Sequence, residues 1–499
     1  MMANNLMALS LIALLSAYGC MNHNELDRQP VVGIPQDNQV SILVKTISNG
    51  DVRIEYHEID HPSSSFTEWK QLSEENMYLT NVILKDLNPA AEYTYRVEFK
   101  DGHYSKWFHF RTFPPLGRAG KFTFVFSSCV REKYMGYNVF GQIALLSPTF
   151  VALLGDQMYA DYDGDVNKIE LYLANDSLRQ VMAKKGEVIL HDKSVVQAFR
   201  NKYNRVFDIN FQNMASSIPL AAIWDDHDFG QDNSDSTYRY KEEAKKVFKE
   251  NFPDYPFVRK DRGLYYKFSI ADVDIFVLDE RWYRSPMQTE DGESKTMLGS
   301  EQLEWMLNEL KNSKAKFKII FSGVSLNDYG GDTSSDRAGI DNWRGYRFER
   351  DKFLAFVRDH DIKGVFVFSG DQHYPSAHVL NWKKPIAPVS RTSKSIEYSL
   401  KDLGAAVFDF SASPLNYKRS TGDSLVAENQ QNPKFSYEIF RPEWAMPGGV
   451  KKDDNIAISV YGVTEIDTES LPAKISVRFY ELDYKTSTMV EIYNAKIIY

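Results

Sequence analysis

The amino-acid sequence predicts a small β-sandwich followed by a larger α/β domain of layered strands and helices. Residues 40–111 run in short β-rich segments separated by turn residues, and beyond Lys121 buried strands alternate with helical patterns. A chain of 499 residues, 43% hydrophobic and 25% charged, has the composition of a soluble globular protein and exceeds one ordinary domain.

The N-terminus departs from that composition. Leu6 to Ala17 is an apolar run of signal-peptide length, too short to cross a bilayer comfortably, and it leads into Ala17-Tyr18-Gly19-Cys20. Small residues ahead of a cysteine resemble a bacterial lipobox. Residues 1–19 are therefore expected to be removed and Cys20 to carry lipid, giving an exported periplasmic or cell-surface lipoprotein. Residues 20–36 read as a flexible polar tether. The chain has two cysteines, and with Cys20 taken by lipid, Cys129 is a lone thiol with no intramolecular disulfide partner. A net charge of −9 argues against general affinity for nucleic acid or anionic membrane, so an anionic substrate must be drawn in by local charge.

The sandwich is placed at residues 37–116. Its runs are SILVKTI, VRIEYHEI, YLTNVILKDL, YTYRVEFK and WFHFRTF, with turns at Asn49-Gly50, Asn88-Pro89 and Asp101-Gly102. The stretch from Leu87 to Val97 resembles the tyrosine-bearing late strand of fibronectin type III modules, in which the aromatic locks a corner. His57, His61, His103 and His109 read as exposed strand histidines. Pro114, Pro115 and Gly117 mark the linker.

The second domain is placed at residues 120–499. Strands are expected at 122–126, 149–154, 220–224, 265–270, 273–279, 317–322, 364–369 and 405–411, with helices at 194–207, 239–250, 301–312 and 350–360. In the third helix Ser300 offers an N-cap, and Leu303, Leu307 and Leu310 line one face. The C-terminal segments ISVYGV, AKISVRFYEL and VEIYNAKII return to strands.

In open α/β sheets, functional groups gather where strands end. Here four strands run into Ser127-Ser128-Cys129, Gly155-Asp156-Gln157-Met158-Tyr159, Asp225-Asp226-His227-Asp228 and Gly370-Asp371-Gln372-His373. Singly, each is an ordinary turn or helix cap; together they place a possible metal ligand at four equivalent positions. Carboxylate and imidazole bind hard or borderline cations, and one aspartate can bridge two ions, the role expected of Asp156. Tyr159 lies three residues on, where a turn can return its phenol to the same ion. Phenolate and thiolate ligation favour a strongly acidic ion such as ferric iron over calcium or magnesium at that position.

The elements SSC, GDQMY, WDDHD, LDERWYR and GDQH, in this order, resemble the alkaline phosphatase D (PhoD-like) family of metallophosphatases, over most of the chain. GDQMY also resembles the GDxxY element of purple acid phosphatases. The resemblance implies a four-layer α/β/β/α metallophosphoesterase domain that hydrolyses phosphate esters. It implies Cys129, Asp156, Tyr159 and His373 around an Fe(3+)-like ion, and Asp226 and Asp371 facing neighbouring ions that include Ca(2+). His227 is implied close to the phosphate or leaving group, and Arg281 and Arg284 are implied to approach the phosphate, a task suited to guanidinium. Two departures stand out. Where relatives place an asparagine, this chain has Phe229-Gly230-Gln231-Asp232-Asn233, leaving Asp232 and Asn233 as alternatives, and no twin-arginine signal precedes Cys20.

The expected reaction is in-line attack on a phosphate monoester or diester by hydroxide made available at the metal centre, with His227 or Asp228 protonating the leaving oxygen. A small-molecule or lipid phosphate ester is the expected partner. The rim that selects it is expected in residues 160–192 and 327–346.

Overall fold

The computed structural model describes residues 25–36, 38–135, 138–161, 192–327, 340–380, 395–417, 436–445, 457–483 and 485–499. The leader, Cys20 and most of both expected rim segments lie outside the described residues.

The N-terminal unit is a pair of antiparallel sheets. One orders Val31–Val32, Val40–Lys45 and Leu79–Leu84; the other orders His61–Phe66, Gly50–Glu58, Glu92–Phe99 and Phe108–Arg111, with Lys70–Leu72 paired to Gly50–Glu58. Period-two alternation directs Val40, Ile42 and Val44 from one sheet, and Val52, Ile54, Tyr93, Tyr95 and Val97 from the other, into a shared core. The Tyr93 hydroxyl accepts a hydrogen bond from Asn88 N at 2.8 Å, tying the strand back to the preceding turn. His61–Phe66, an exposed edge strand rich in serine, and Lys70–Leu72 carried no β pattern in the sequence.

The tether reading is corrected from Glu25 onward. Leu26 bridges Thr46, Val31–Val32 is a sheet strand, and Val31, Val32 and Ile34 are buried. Arg28 donates to Asn251 Oδ1 at 2.7 Å and to the Glu250 carbonyl at 2.9 Å. Polar neighbours mask this apolar Val-Val-Gly-Ile segment in the sequence, but its side chains bury against both domains.

Two seven-stranded sheets follow among the described residues. The first orders Leu220–Ile223, Phe150–Leu154, Lys121–Ser127, Val460–Asp467, Lys474–Asp483, Thr488–Ile498 and Ser395–Ser399; the second orders Tyr266–Ile270, Val273–Val277, Phe317–Phe321, Val365–Ser369, Val407–Ser411, Ser376–Leu380 and Ser436–Phe440. They pack face to face through aromatic rings: Phe124 lies 5.5 Å from Phe321 and 5.1 Å from Phe368, and Phe126 lies 4.7 Å from Phe368. Helices Gly299–Asn312 and Arg347–Asp359 press Leu303, Met306, Phe353 and Leu354 onto Phe276, Ile320, Val365 and Val367 of the second sheet. Phe140, Phe199, Phe211 and Phe248, on other helices, join the main core with the first sheet.

Ser300 is not the expected cap. The helix begins at Gly299, and the Glu349 carboxylate serves its entry by accepting from Met297 N at 3.2 Å and Leu298 N at 2.9 Å. Strands Lys121–Ser127, Phe150–Leu154 and Leu220–Ile223 run parallel, as do Val273–Val277, Phe317–Phe321, Val365–Ser369 and Val407–Ser411. The loops that follow these strands meet across the two sheets, and the polar cluster lies there.

Candidate metal centre

Three of the four strand ends bend sharply at their polar residues. Cys129, Asp156, Asp371 and His373 all adopt left-handed backbone, with φ of 63°, 54°, 65° and 56°. Each such non-glycine residue costs about 1–3 kcal/mol and persists only where its surroundings hold it. Here Cys129 N donates to the Gly155 carbonyl at 3.2 Å, Val130 N to the Asp156 carbonyl at 2.7 Å, Asp371 N to Ser128 Oγ at 3.1 Å and His373 N to Ser413 Oγ at 3.3 Å. Gly155, at φ 94°, lets the backbone pass Asp225; a Cβ there would sit 2.3 Å from Asp225 Cβ.

These bends bring the side chains into three overlapping sets whose candidate donor atoms lie within 4.8 Å of one another: Cys129, Asp156 and His373; Asp156, Asp226 and His227; and Asp156, Asp225, Asp226 and Asp371. Asp156 belongs to all three. Cys129 Sγ is 3.5 Å from Asp156 Oδ2, and the Tyr159 hydroxyl is 3.2 Å from His373 Nε2. The structure thus gathers Cys129, Asp156, Tyr159, Asp226, His227, Asp371 and His373, and adds Asp225.

Without a cation the cluster is electrostatically costly. Burial, reinforced by neighbouring carboxylates, lifts Asp156 well above the usual carboxylate range and pushes Asp371 up to about 8. Burial likewise raises the Cys129 thiol to about 12 and lowers His373 to about 3. Asp226 goes the other way, because His227 and Arg281 outweigh its burial. Asp225 Oδ2 and Asp226 Oδ1 are buried with no hydrogen-bond partner. Buried carboxylate oxygens without hydrogen bonds, converging on one aspartate, fit divalent or trivalent cations. The donors differ in type: thiol and imidazole share one set with Asp156, with the Tyr159 phenol against His373, and the set with Asp225, Asp226 and Asp371 is all carboxylate.

His227 sits against the centre with its ring 4.1 Å from that of Tyr159 and Nδ1 2.6 Å from Asp161 Oδ1. Burial favours its neutral form, but Asp226 and Asp161 outweigh that and raise it to about 9. The choice between Asp232 and Asn233 resolves into two contributions. The Asp232 carboxylate stands 3.7 Å from His227 Nε2, whereas Asn233 donates its backbone N–H to Asp226 Oδ2 at 2.7 Å and its amide to Asp232 Oδ2 at 2.9 Å.

Arg281, Arg284 and Asp228, expected at the phosphate or as proton donor, are engaged with the protein itself. Arg281 and Arg284 are fully buried and bound to acidic residues of the protein. Arg281 donates to Asp225 Oδ1 at 2.5 Å and forks onto both Asp341 oxygens at 3.1 and 2.8 Å; Arg284 pairs with Asp341 at 2.7 Å and donates to Tyr346 OH at 2.9 Å. Their guanidinium groups brace the carboxylate wall. Asp228, expected as a proton donor, accepts from Asp225 N and Gln157 N, each at 3.2 Å, and from Tyr203 OH at 3.0 Å. It ties the second strand end to the third. Burial lifts its carboxyl to about 7 against those three hydrogen bonds.

Sequence reasoning missed Asp161, Asp225 and Asp341. Asp161 follows Tyr159 by two residues and was readable as a further acid of the same loop. Asp225 was visible as the first of an aspartate pair. Asp341 had no signal, since it is 60 residues from the arginine it binds.

A family model described as PhoD-like phosphatase matches residues 124–444, more than half of the chain. Alkaline phosphatase D of Bacillus subtilis (strain 168) is 25% identical over 322 residues, covering 58% of this chain and 52% of that protein. The chain thus spans about half the length of that relative. Among solved structures, that of PhoD superposes with a TM-score of 0.65 at 16% identity, covering 93% of this chain and 91% of the other. The purple acid phosphatase PPD1 from yellow lupin (Lupinus luteus) seeds superposes with a TM-score of 0.57 at 13% identity, covering 94% of this chain and 74% of the other. At these identities the two superpositions establish the fold.

Proposed function

The chain belongs to the PhoD-like phosphatase family, and from that premise we propose that it is a metal-dependent phosphoric ester hydrolase working at the Asp156 centre. The observation that carries this reading is the sharing of Asp156 by three ligand sets, buried or nearly so, at converging strand ends. Cations held there supply acidified water and neutralise the charge of a phosphate ester. Cys129, Asp156, Tyr159 and His373 would hold one ion, for which Fe(3+) is our choice; Asp156, Asp225, Asp226 and Asp371 would hold the other, for which Ca(2+) is our choice.

His227 is the proton donor in this account. Its charged form is favoured near neutrality, Asp161 fixes Nδ1, and Nε2 is left on the side of Asp232 to face a leaving oxygen. Arg281 keeps Asp225 and Asp341 in place, so that the centre retains its shape while empty and while loaded.

We read the paired, helix-flanked sheets as the four-layer α/β/β/α arrangement and the N-terminal unit as fibronectin type III-like, on the strength of the Tyr93 corner. We also propose export with lipid on Cys20, supported by the Ala17-Tyr18-Gly19-Cys20 pattern. Hydrolysis of a mono- and a bis-aryl phosphate by stripped and metal-restored protein tests the activity and ranks monoesters against diesters. Turnover of neither ester after metal restoration would overturn it.

A further inference from the structure

The segment after strand Val407–Ser411 runs alongside the Cys129 loop and ends at a tyrosine that the catalytic reading does not use. Leu415 N donates to the Ser128 carbonyl at 2.7 Å, Asn416 N to the Cys129 carbonyl at 3.2 Å, and Arg131 N to the Asn416 carbonyl at 3.1 Å. On the other side Tyr417 forms a bridge with Ile458, donating its N–H at 3.3 Å and accepting at 2.8 Å. The backbone at Tyr417 is therefore held from both flanks, which fixes where its ring can go.

That ring is stacked on Tyr159, with centroids 4.8 Å apart and planes 9° apart, and lies 4.5 Å from the His373 imidazole. Tyr134 meets its edge at 6.1 Å, and the Arg131 guanidinium lies over it at 5.5 Å. Tyr417 is 7% exposed. One flat side chain thus borders two of the donors assigned to the iron-like ion. A ligand's ring orientation depends on such neighbours as much as on its own torsions, and loss of an outer partner commonly costs about 10–100-fold in metal affinity.

We propose that Tyr417 is a positioning residue, whose ring holds the Tyr159 phenol and the His373 imidazole in the orientations that let both meet one cation. This rests on the metal reading of the Asp156 centre. Offset stacking contributes about 0.5–1.5 kcal/mol beyond the area buried, and it acts on Tyr159 along the ring normal, where the phenol's own torsions are least restrained. The proposal places the effect in the ring, so phenylalanine should preserve it while leucine or methionine should lose it.

The test uses full-length protein stripped and reloaded with ferric iron. Retention of iron is measured by chelator competition, and tyrosinate ligation by the visible charge-transfer band, for wild type, Tyr417→Phe, Tyr417→Leu and Tyr417→Met. Near-ultraviolet circular dichroism of the metal-free proteins selects the variants that remain folded; methionine, closer in volume, guards against collapse around leucine. The expected result is iron retention weakened about tenfold or more in the leucine or methionine variant, with a shifted charge-transfer band, and retention within about twofold of wild type for Tyr417→Phe. An unchanged band and affinity in a folded non-aromatic variant would overturn the assignment alone, as would loss in Tyr417→Phe equal to that in leucine. Wild type that retains no metal of any kind would overturn the metal reading beneath it.

Discussion

Arg281 Nε lies 2.5 Å from Asp225 Oδ1, and both side chains are closed off from solvent. The guanidinium also forks onto Asp341 and comes within 3.7 Å of Asp226. One buried guanidinium is therefore shared by three acids on two segments, the adjacent Asp225 and Asp226 and the distant Asp341, and the first two border the metal centre. A contact to substrate would make Arg281 a binding residue. The geometry makes it part of the frame.

Replacement of Arg281 by alanine should accordingly damage the fold before it damages substrate affinity. Removing one partner from a buried ion pair costs about 3–5 kcal/mol, because the acids left behind stay buried. Lysine cannot reproduce the fork and should rescue little of it. Denaturant unfolding of the metal-free variants measures this; a variant of wild-type stability whose defect lies wholly in KM would contradict it.

Gly155→Ala should be as harmful as a ligand substitution although it removes no ligand. Its added Cβ meets Asp225 at 2.3 Å, and its φ of 94° is hostile to a side chain. The expected cost is about 1–3 kcal/mol of stability with a parallel loss of bound metal. Thermal unfolding and elemental analysis of the same preparation would show both effects, and loss of neither would mean that the approach of Gly155 to Asp225 is not needed.

The metal-free protein should carry a pH signature at Asp371. Its folded-state pKa is raised to about 8 by burial, whereas an unfolded aspartate titrates near about 4. The folded state therefore holds the proton more tightly, and the stability this contributes is present below about pH 4 and lost as pH rises toward about 8. Asp371→Asn imitates the protonated form and lacks that loss. The variant should gain on wild type across this window in the absence of metal, measured as the difference in unfolding midpoint. A difference independent of pH would contradict the burial argument.

His227 should govern the alkaline limb of turnover. Its charged form is favoured in the metal-free protein because Asp226 and Asp161 face it, and a leaving group that needs a proton should be released more slowly once rising pH removes that proton. Asp161→Asn removes one of the two carboxylates and should move the limb toward neutrality. An aryl ester with a very acidic leaving group, which departs without a proton, should show little of either effect.

Much of the centre was legible because strand-end chemistry is local. Gly155-Asp156 and Gly370-Asp371 each follow a run of buried strand residues, and the alternation of such runs with helices already places their ends together. The partners of the arginines were hidden for the opposite reason. LDERWYR shows two guanidinium groups near the centre but not their partners, since Asp225 and Asp341 are 56 and 60 residues from Arg281. The N-terminal Val31–Val32 strand was hidden by its length: two residues leave no period to detect, and its place depends on pairing with Val40–Lys45. His61–Phe66 was hidden by composition, because an exposed edge strand has no buried face to give it a pattern.

The account stands or falls on Asp156 as the shared ligand, and metal content of the purified protein beside Asp156→Ala tests it most directly. Wild type should hold more than one ion per chain, including one that absorbs in the visible and loses that band in Tyr159→Phe and Cys129→Ser. Asp156→Ala should hold neither ion firmly and should lose ester hydrolysis by at least about a hundredfold, the upper range seen when even an outer partner is removed. Wild type without bound metal, or an Asp156→Ala protein that keeps both ions and its turnover, would contradict the central claim.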